Sequence, residues 1–247
     1  MTAVVEVDDL AKVFGGLHAV DGVSLRIAAG ERRALIGPNG AGKTTLFHCV
    51  TGTLRPSSGS VRLSGTDVTD FPEHRRTRLG ISRTFQITNV LTELTLAENI
   101  ALAIVGTDRR KWICYRSLAA FPAVREQALA GLEAVGLEHR ADEPVRLLSY
   151  GERRQLELAL ALNTRPRVLF LDEPCAGLSP SERQRIFRLV RALPREITVV
   201  MIEHDMDVAL GFADLVTVMN RGRVMAEGTP AEIQSNPQVR DVYFGHA

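Results

Sequence analysis

The 247-residue sequence has no apolar run approaching the ~18 residues that a membrane-spanning helix needs. Any membrane role is therefore expected to come through a partner. Cysteine is scarce: Cys49, Cys114 and Cys175 are odd in number and lack paired spacing. That argues against a disulfide framework or a zinc site and fits a reducing cytoplasm. Lysine is nearly absent, with only Lys12, Lys43 and Lys111 among 30 basic residues, and the formal net charge is +1. Such a balance argues against holding nucleic acid by bulk electrostatics, so no nucleic-acid partner is expected. The cluster Arg109-Arg110-Lys111 reads as a solvated loop. The opening MTAVVEVDDL is acidic, with no basic segment ahead of a long apolar stretch, so no secretory signal is expected. Internal repeats and low-complexity tracts are missing too. The length accommodates one large domain or two small ones around a sizeable core.

What is present is organised around residues 34–46, ALIGPNGAGKTTL. Ala34-Leu35-Ile36 reads as a buried strand. Gly37-Pro38-Asn39-Gly40-Ala41-Gly42-Lys43-Thr44 then spells G-x-x-x-x-G-K-T, the phosphate-binding loop pattern. The glycines allow torsions and close approaches that a Cβ would forbid, so successive N–H groups can converge on phosphate oxygens. A helix beginning near Lys43 adds its positive end to the same spot. Lys43 supplies a mobile charge for the β/γ-phosphates, and the Thr44 hydroxyl can ligate Mg²⁺. The alternative, a glycine-rich turn without a ligand, gives no reason for strand and helix to flank the loop in this order. The pattern predicts a nucleoside-triphosphate site.

Elsewhere Val4–Val7, Ala19–Ile27 and Val61–Leu63 read as strands, with Val13-Phe14-Gly15-Gly16 as an aromatic followed by a turn. Ile81–Phe85 reads as a strand ending at Gln86. From Val90 to about Asn163 the signals are helical: a Thr95…Glu98 capping box, an amphipathic Val124–Val135, and Ser149–Leu162. Val168–Asp172 and Ile197–Ile202 are apolar strands of the buried parallel type. Ser179…Glu182 is a second capping box, opening a helix over Ser181–Leu193. Asp205–Ala213 reads as a helix, Val216–Met219 and Arg223–Glu227 as a hairpin, and Thr229 and Asn236 as helix starts. The expectation is an α/β fold with a mostly parallel sheet, an antiparallel β edge and an inserted helical subdomain. Residues 1–86 and 164–247 form the catalytic core in this reading, and 87–163 the helical part.

Leu169-Phe170-Leu171-Asp172-Glu173 places two carboxylates at a strand's C-terminal end, where open α/β sheets bind ligands. One can hold Mg²⁺ through water, and the other can take a proton from a water attacking the γ-phosphate. Alone, the pair would read as a solvated strand end; the phosphate loop upstream makes it functional. At this point the chain resembles, over essentially its whole length, the nucleotide-binding subunits of ATP-binding cassette (ABC) transporters. GPNGAGKTT and LFLDEP are shared with many P-loop ATPases, whereas LSYGE at Leu148–Glu152 is similar to the family's signature loop. Without that resemblance Ser149…Glu152 is an ordinary capping box.

The resemblance implies a role for each remaining station. In the family the signature loop binds the γ-phosphate of ATP held by the other subunit of a head-to-tail dimer, here through Ser149 and the Gly151 amide. Phe14 matches the aromatic that stacks on adenine, though on its own it could equally be a core residue. Gln86 matches the glutamine that touches Mg²⁺ and senses the membrane partner. His204 matches the switch histidine at the γ-phosphate. Glu173 matches the catalytic base, Asp172 the carboxylate on the metal side, and Thr45 supports the phosphates beside Thr44. Three positions depart from the pattern. Tyr150 stands where glycine is usual, Glu152 where glutamine is, and Ser179 where a loop usually ends in aspartate.

FGGLHAVDGVSL, GISRTFQ, LSYGERRQLELALAL, EPCAGLSP, IEHDMDVALGFAD and NPQVRDVYFG further resemble the branched-chain amino-acid uptake group. The resemblance implies ATP and Mg²⁺ as cofactors and transmembrane permease subunits as partners. It also implies a second ATP-binding subunit, identical or not, and indirectly a periplasmic or extracellular substrate-binding protein. The expected place is the cytoplasmic face of the inner membrane. Relatives handling urea or short amides, or driving lipopolysaccharide export, have similar sequences. Two other classes fit less well. A soluble ABC ATPase of repair or translation would need a long coiled-coil insert or a second cassette. A P-loop kinase would leave Ser149, Gly151 and His204 without a role.

Overall fold

The computed structural model describes residues 3–84, 90–107 and 121–244. In chain order, β1 (Ala3–Phe14) and β2 (Leu17–Ala28) form a long hairpin, and β3 (Arg32–Ile36) leads through the phosphate loop into α1 (Lys43–Thr51). Then come β4 (Ser58–Leu63), β5 (Thr66–Asp67), α2 (Glu73–Arg78) and β6 (Ile81–Arg83). The helices α3 (Leu96–Thr107), α4 (Pro122–Glu133) and α5 (Tyr150–Asn163) follow. The chain continues with β7 (Val168–Asp172), α6 (Pro180–Arg191), β8 (Thr198–Ile202), α7 (Met206–Phe212), β9 (Leu215–Asn220) and β10 (Arg223–Gly228). It closes with α8 (Pro230–Ser235) and α9 (Pro237–Phe244). Two compact units emerge: Met1–Ile81, Arg167–Glu173 and Leu193–Ala247 make one, Ser82–Pro166 and Pro174–Ala192 the other.

The first unit is built on two sheets. One is antiparallel, in the order β2-β1-β4-β5; the other runs β10-β9-β3-β8-β7-β6. In the larger sheet β3 lies parallel to both β8 and β9, and β7 lies parallel to β8, while β9 and β10 form the antiparallel edge. β3, β7 and β8 are buried at every residue, as strands covered on both faces must be. Leu35 joins Val5, Leu46, Phe47, Val50, Phe170 and Val200 in a core shared by both sheets and α1. Ala34 and Ile36 instead join Ala209, Val216, Val218 and Ile233, because successive strand side chains point to opposite faces. The Phe47 and Phe170 rings meet edge to face at 4.9 Å.

Local periodicity shows short strands at Val4–Val7 and Ala19–Ile27, but both are twelve residues long. Asp8 and Asp9 interrupt the apolar pattern. The strand passes through them because its register shifts between Val7 and Leu10, and Ser24 Oγ accepts the Asp9 N–H at 2.9 Å. These strands also form a sheet of their own, which local sequence does not reveal because it does not name a strand's neighbours. The end of α1 is closed by Arg76, 1% exposed, whose guanidinium donates to the carbonyls of Cys49, Val50, Thr69 and Phe71. It thereby satisfies helix-end carbonyls that have no intrahelical donor.

The second unit is helical. Leu96, Ile100 and Ile104 of α3, Val124, Ala128 and Leu132 of α4, and Leu156 and Ala159 of α5 are buried, and the three helices pack on one another. α4 begins at Pro122, because proline suits a first helical turn where no N–H is needed. Capping boxes open α5 and α6 at Ser149 and Ser179. Among the described residues no helix is long and apolar enough to cross a membrane.

Candidate nucleotide site

β3 delivers the chain to Gly37 from inside the sheet, with β8 and β9 paired on either side. Gly37 has φ +152°, and a Cβ there would collide with the Met219 carbonyl. Gly42 has φ +98°, and a Cβ there would collide with the Ala19 carbonyl. Both must be glycine for steric as well as torsional reasons. Gly42 is the N-cap of α1, no side chain caps the helix, and its first turn holds no acidic residue. That helix end therefore presents N–H groups and positive dipole to an incoming anion. Pro38 is half-buried, Asn39 and Gly40 are exposed, and Ala41 is buried.

Lys43, 7% exposed, donates from Nζ to the Gly37 carbonyl at 2.6 Å and the Pro38 carbonyl at 3.0 Å. Burial pulls its pKa below the usual lysine value, and the charges of Glu173 and Asp172 pull the other way. The lysine and both carboxylates thus share one local field. Thr44 and Thr45 follow, half-buried. Asp172 is buried at the end of β7. Glu173 adopts φ +47°, a left-handed conformation costly for a non-glycine residue. Its N–H donates to the Ile202 carbonyl at 3.0 Å. Such an outlier held in place by a neighbouring strand is a mark of a functional position.

His204 is exposed, and its Nδ1 lies 3.9 Å from the Glu173 carboxylate and 4.0 Å from that of Glu203. Those separations are too long for hydrogen bonds but set the imidazole beside Glu173. Glu203, 1% exposed, is the residue that sequence reasoning passed over. An acid ending an apolar strand is the signal that marked Asp172, but here no motif accompanied it. Phe14, 47% exposed with Lys12 Nζ 5.1 Å from its ring centre, is not a core residue. Gln86 lies outside the described residues. The Thr44 hydroxyl and the Asp172 carboxylate are hard oxygen donors of the kind Mg²⁺ takes. Among the described residues there is no group of three or more His, Cys, Asp or Glu side chains able to hold a metal. A magnesium ion here would therefore need phosphate and water to complete its shell.

The signature loop belongs to the helical unit. Ser149 caps α5, its Oγ accepting the Glu152 N–H, while the Ser149 N–H donates to Glu152 Oε2 at 2.8 Å. The glutamate's extra charge relative to glutamine is met by Arg140, which reaches Glu152 at 2.7 Å and Glu143 at 2.5 Å. Burial raises the Glu152 pKa, but the bonds from Arg140 and Ser149 outweigh it and leave the carboxyl below its usual range. Tyr150 is exposed, its hydroxyl accepting from Arg154 at 2.9 Å. Its ring lies against Gly177, where a Cβ would stand 3.3 Å from the ring edge. Glu182 packs against Gly151, where a Cβ would collide with its Oε1. Ser179 caps α6 and donates its hydroxyl to Glu182 at 2.6 Å, so serine fills the structural part of this position.

A family model described as ABC transporter matches residues 20–176, and one described as branched-chain amino acid ATP-binding cassette transporter matches residues 223–247. The high-affinity branched-chain amino acid transport ATP-binding protein BraF of Pseudomonas aeruginosa is 40% identical, over 99% of this chain and 98% of its own. LivG of Escherichia coli, described in the same words, is 38% identical over 98% of this chain and 97% of its own. Among solved structures, the ADP conformation of MJ1267, an ATP-binding cassette of an ABC transporter, superposes with a TM-score of 0.87 at 32% identity, each chain fully covered. A nucleotide-free ATP-binding cassette from an ABC transporter gives 0.85, also at 32%, covering 99% of this chain and 100% of its own.

Proposed function

The chain belongs to the ABC transporter family as an ATP-binding and ATP-hydrolysing subunit, and from that premise we propose that it powers uptake of branched-chain or closely related amino acids. The observation carrying this choice is the 38–40% identity to branched-chain amino acid transport ATP-binding proteins across nearly the whole chain. The match of residues 223–247 supports it. Its partners are transmembrane permease subunits at the cytoplasmic face of the membrane, a second ATP-binding subunit, and indirectly a substrate-binding protein.

The site works by placement. The N–H groups at the start of α1 and the Lys43 ammonium hold the β/γ-phosphates, and exposed Phe14 offers a face to adenine. Thr44 and Asp172, with Gln86, would hold a magnesium ion, which supplies positive charge against the phosphates when bound. Glu173 takes the proton of the attacking water, and His204 beside it contacts the γ-phosphate. Ser149 and the Gly151 amide of the second subunit close over that phosphate, so binding seals the dimer and hydrolysis reopens it. Replacing Glu173 by Gln keeps the size of the side chain but removes the base. The variant is expected to bind ATP as before, lose more than about 100-fold in hydrolysis and accumulate as an ATP-bound dimer in analytical ultracentrifugation. Near-normal turnover would sink the assignment.

A further inference from the structure

Phe14, to which the proposed function gives adenine, carries a cation against its ring. Lys12 Nζ lies over the ring, 5.1 Å from its centre, and the same ammonium donates to the Arg55 carbonyl at 2.7 Å. That carbonyl belongs to the turn after α1, which also braces the strand: Ser57 Oγ accepts the Val13 N–H at 3.0 Å, and the Ser57 N–H donates to the Ala11 carbonyl at 2.7 Å. The turn therefore holds the lysine by its charge and the strand by its backbone. Nearly half of Phe14 is nevertheless exposed, as is Leu17, its partner across the hairpin. The returning strand is fastened to the phosphate loop. The Ala19 carbonyl lies where a Gly42 Cβ would be, and Gly222 bridges the two, its N–H donating to the Ala41 carbonyl at 3.0 Å and its carbonyl accepting the Asp21 N–H at 2.9 Å. At about 3.3 Å per strand residue, the hairpin tip at Leu17 lies roughly 7 Å beyond that contact. We propose that Lys12 is a positioning residue for the nucleobase: its ammonium, held by the Arg55 carbonyl, fixes one face of the Phe14 ring so that adenine stacks on the other. This rests on the adenine reading of Phe14. The face of an aromatic ring is negative, so an ammonium within ~6 Å of its centre is attracted to it. A phenylalanine near a hairpin tip without that partner samples several rotamers and loses the freedom only when the base arrives; a ring already fixed avoids that cost. A compact ammonium with three donors can face the ring and bind one carbonyl at once. Two of the chain's three lysines, Lys12 and Lys43, then serve the same nucleotide.

Lys12→Met keeps an unbranched stem and removes the charge. In calorimetry on the full chain with Mg-ATP, its affinity is expected to be about two- to fivefold weaker, the range of an exposed cation–π contact. In hydrolysis, KM is expected to rise by about that factor while kcat holds. Mg-tripolyphosphate, which has the phosphates but no base, is expected to bind wild type and variant alike. Phe14→Ala is expected to weaken ATP binding by about tenfold, as loss of a stacked base does, and in that background Lys12→Met is expected to change nothing further. An equal loss of ATP and tripolyphosphate affinity would show the ammonium acting on the phosphates, and a Lys12→Met effect that persists without the ring would show a brace of the hairpin alone. Either result overturns the proposal. So does unchanged ATP affinity in Lys12→Met while Phe14→Ala is impaired, a result that leaves the adenine reading standing. If Phe14→Ala binds ATP as wild type does, the adenine reading fails and the role of Lys12 falls with it.

Discussion

Arg76 is the residue whose role follows most directly from its surroundings. Its guanidinium is buried, burial pulls its pKa down from the usual arginine value, and its donors go to four main-chain carbonyls at the end of α1 and the turn before α2. Replacing it with Met would leave those carbonyls buried without donors, at about 1–3 kcal/mol for each one left unsatisfied. Arg76→Met is expected to lose at least about 3 kcal/mol of unfolding free energy in guanidinium titrations, with ATP affinity falling too because α1 carries Lys43 and Thr44. Arg76→Lys is expected to rescue little, since a compact ammonium cannot reach carbonyls spread around a planar fork. A stability within about 0.5 kcal/mol of wild type would refute the cap. Nothing in EHRRTR distinguishes Arg76 from its neighbours, because its partners lie up to 27 positions away. Lys43, Asp172 and Glu173 are singled out by sequence for the opposite reason: each sits in a motif whose spacing is local, Lys43 in the loop that follows β3 and the two acids where the apolar run of β7 ends.

At the scale of elements, the same contrast holds. Capping boxes are written in four consecutive residues, so those opening α5 and α6 could be read directly and form as written; at α8, read only as a helix start, Thr229 and Glu232 complete a third box. The length of β1 and its membership of a separate sheet could not, because a register shift and a cross-strand serine carry the chain through Asp8 and Asp9. The three boxes share an electrostatic consequence. Glu182 and Glu232 are lowered first by bonds from Ser179 and Thr229. In Glu152 the bonds from Arg140 and Ser149 overcome the effect of burial. A carboxyl held lower in the folded than in the unfolded chain stabilises the fold above its unfolded pKa of about 4.3 and loses that contribution as pH falls through the folded value. Unfolding free energy is therefore expected to be nearly flat, as far as these groups go, from pH 7 to 5 and to fall below about pH 4.3, with the first turns of α5, α6 and α8 opening first in hydrogen exchange. Stability that rises on acidification through that window would contradict the sign.

For the whole molecule, the question is whether one chain makes one complete site. The phosphate loop, Asp172, Glu173 and His204 lie in the first compact unit, and Ser149 and Gly151 in the second. Under the proposed head-to-tail arrangement each ATP is held by Lys43 of one copy and Ser149 of the other. That geometry makes two inactive variants complementary. Where two copies of this chain pair, Lys43→Ala removes the loop's charge from both sites of the dimer, and Ser149→Arg blocks both signature loops of its own. In a mixed dimer both defects fall on the same site, because the Ser149→Arg copy's loop closes over the Lys43→Ala copy's phosphates. The other site then joins an intact Lys43 to an intact Ser149. With random pairing half the dimers are mixed, and each has one good site of two, so a 1:1 mixture is expected to recover about a quarter of the wild-type rate if the sites fire independently. A rate that depends on both sites firing together would lower that figure, but any recovery above the sum of the two variants requires sites built across copies. A mixture no more active than its parts, in variants shown to pair, would place Lys43 and Ser149 in the same chain's site and overturn the arrangement.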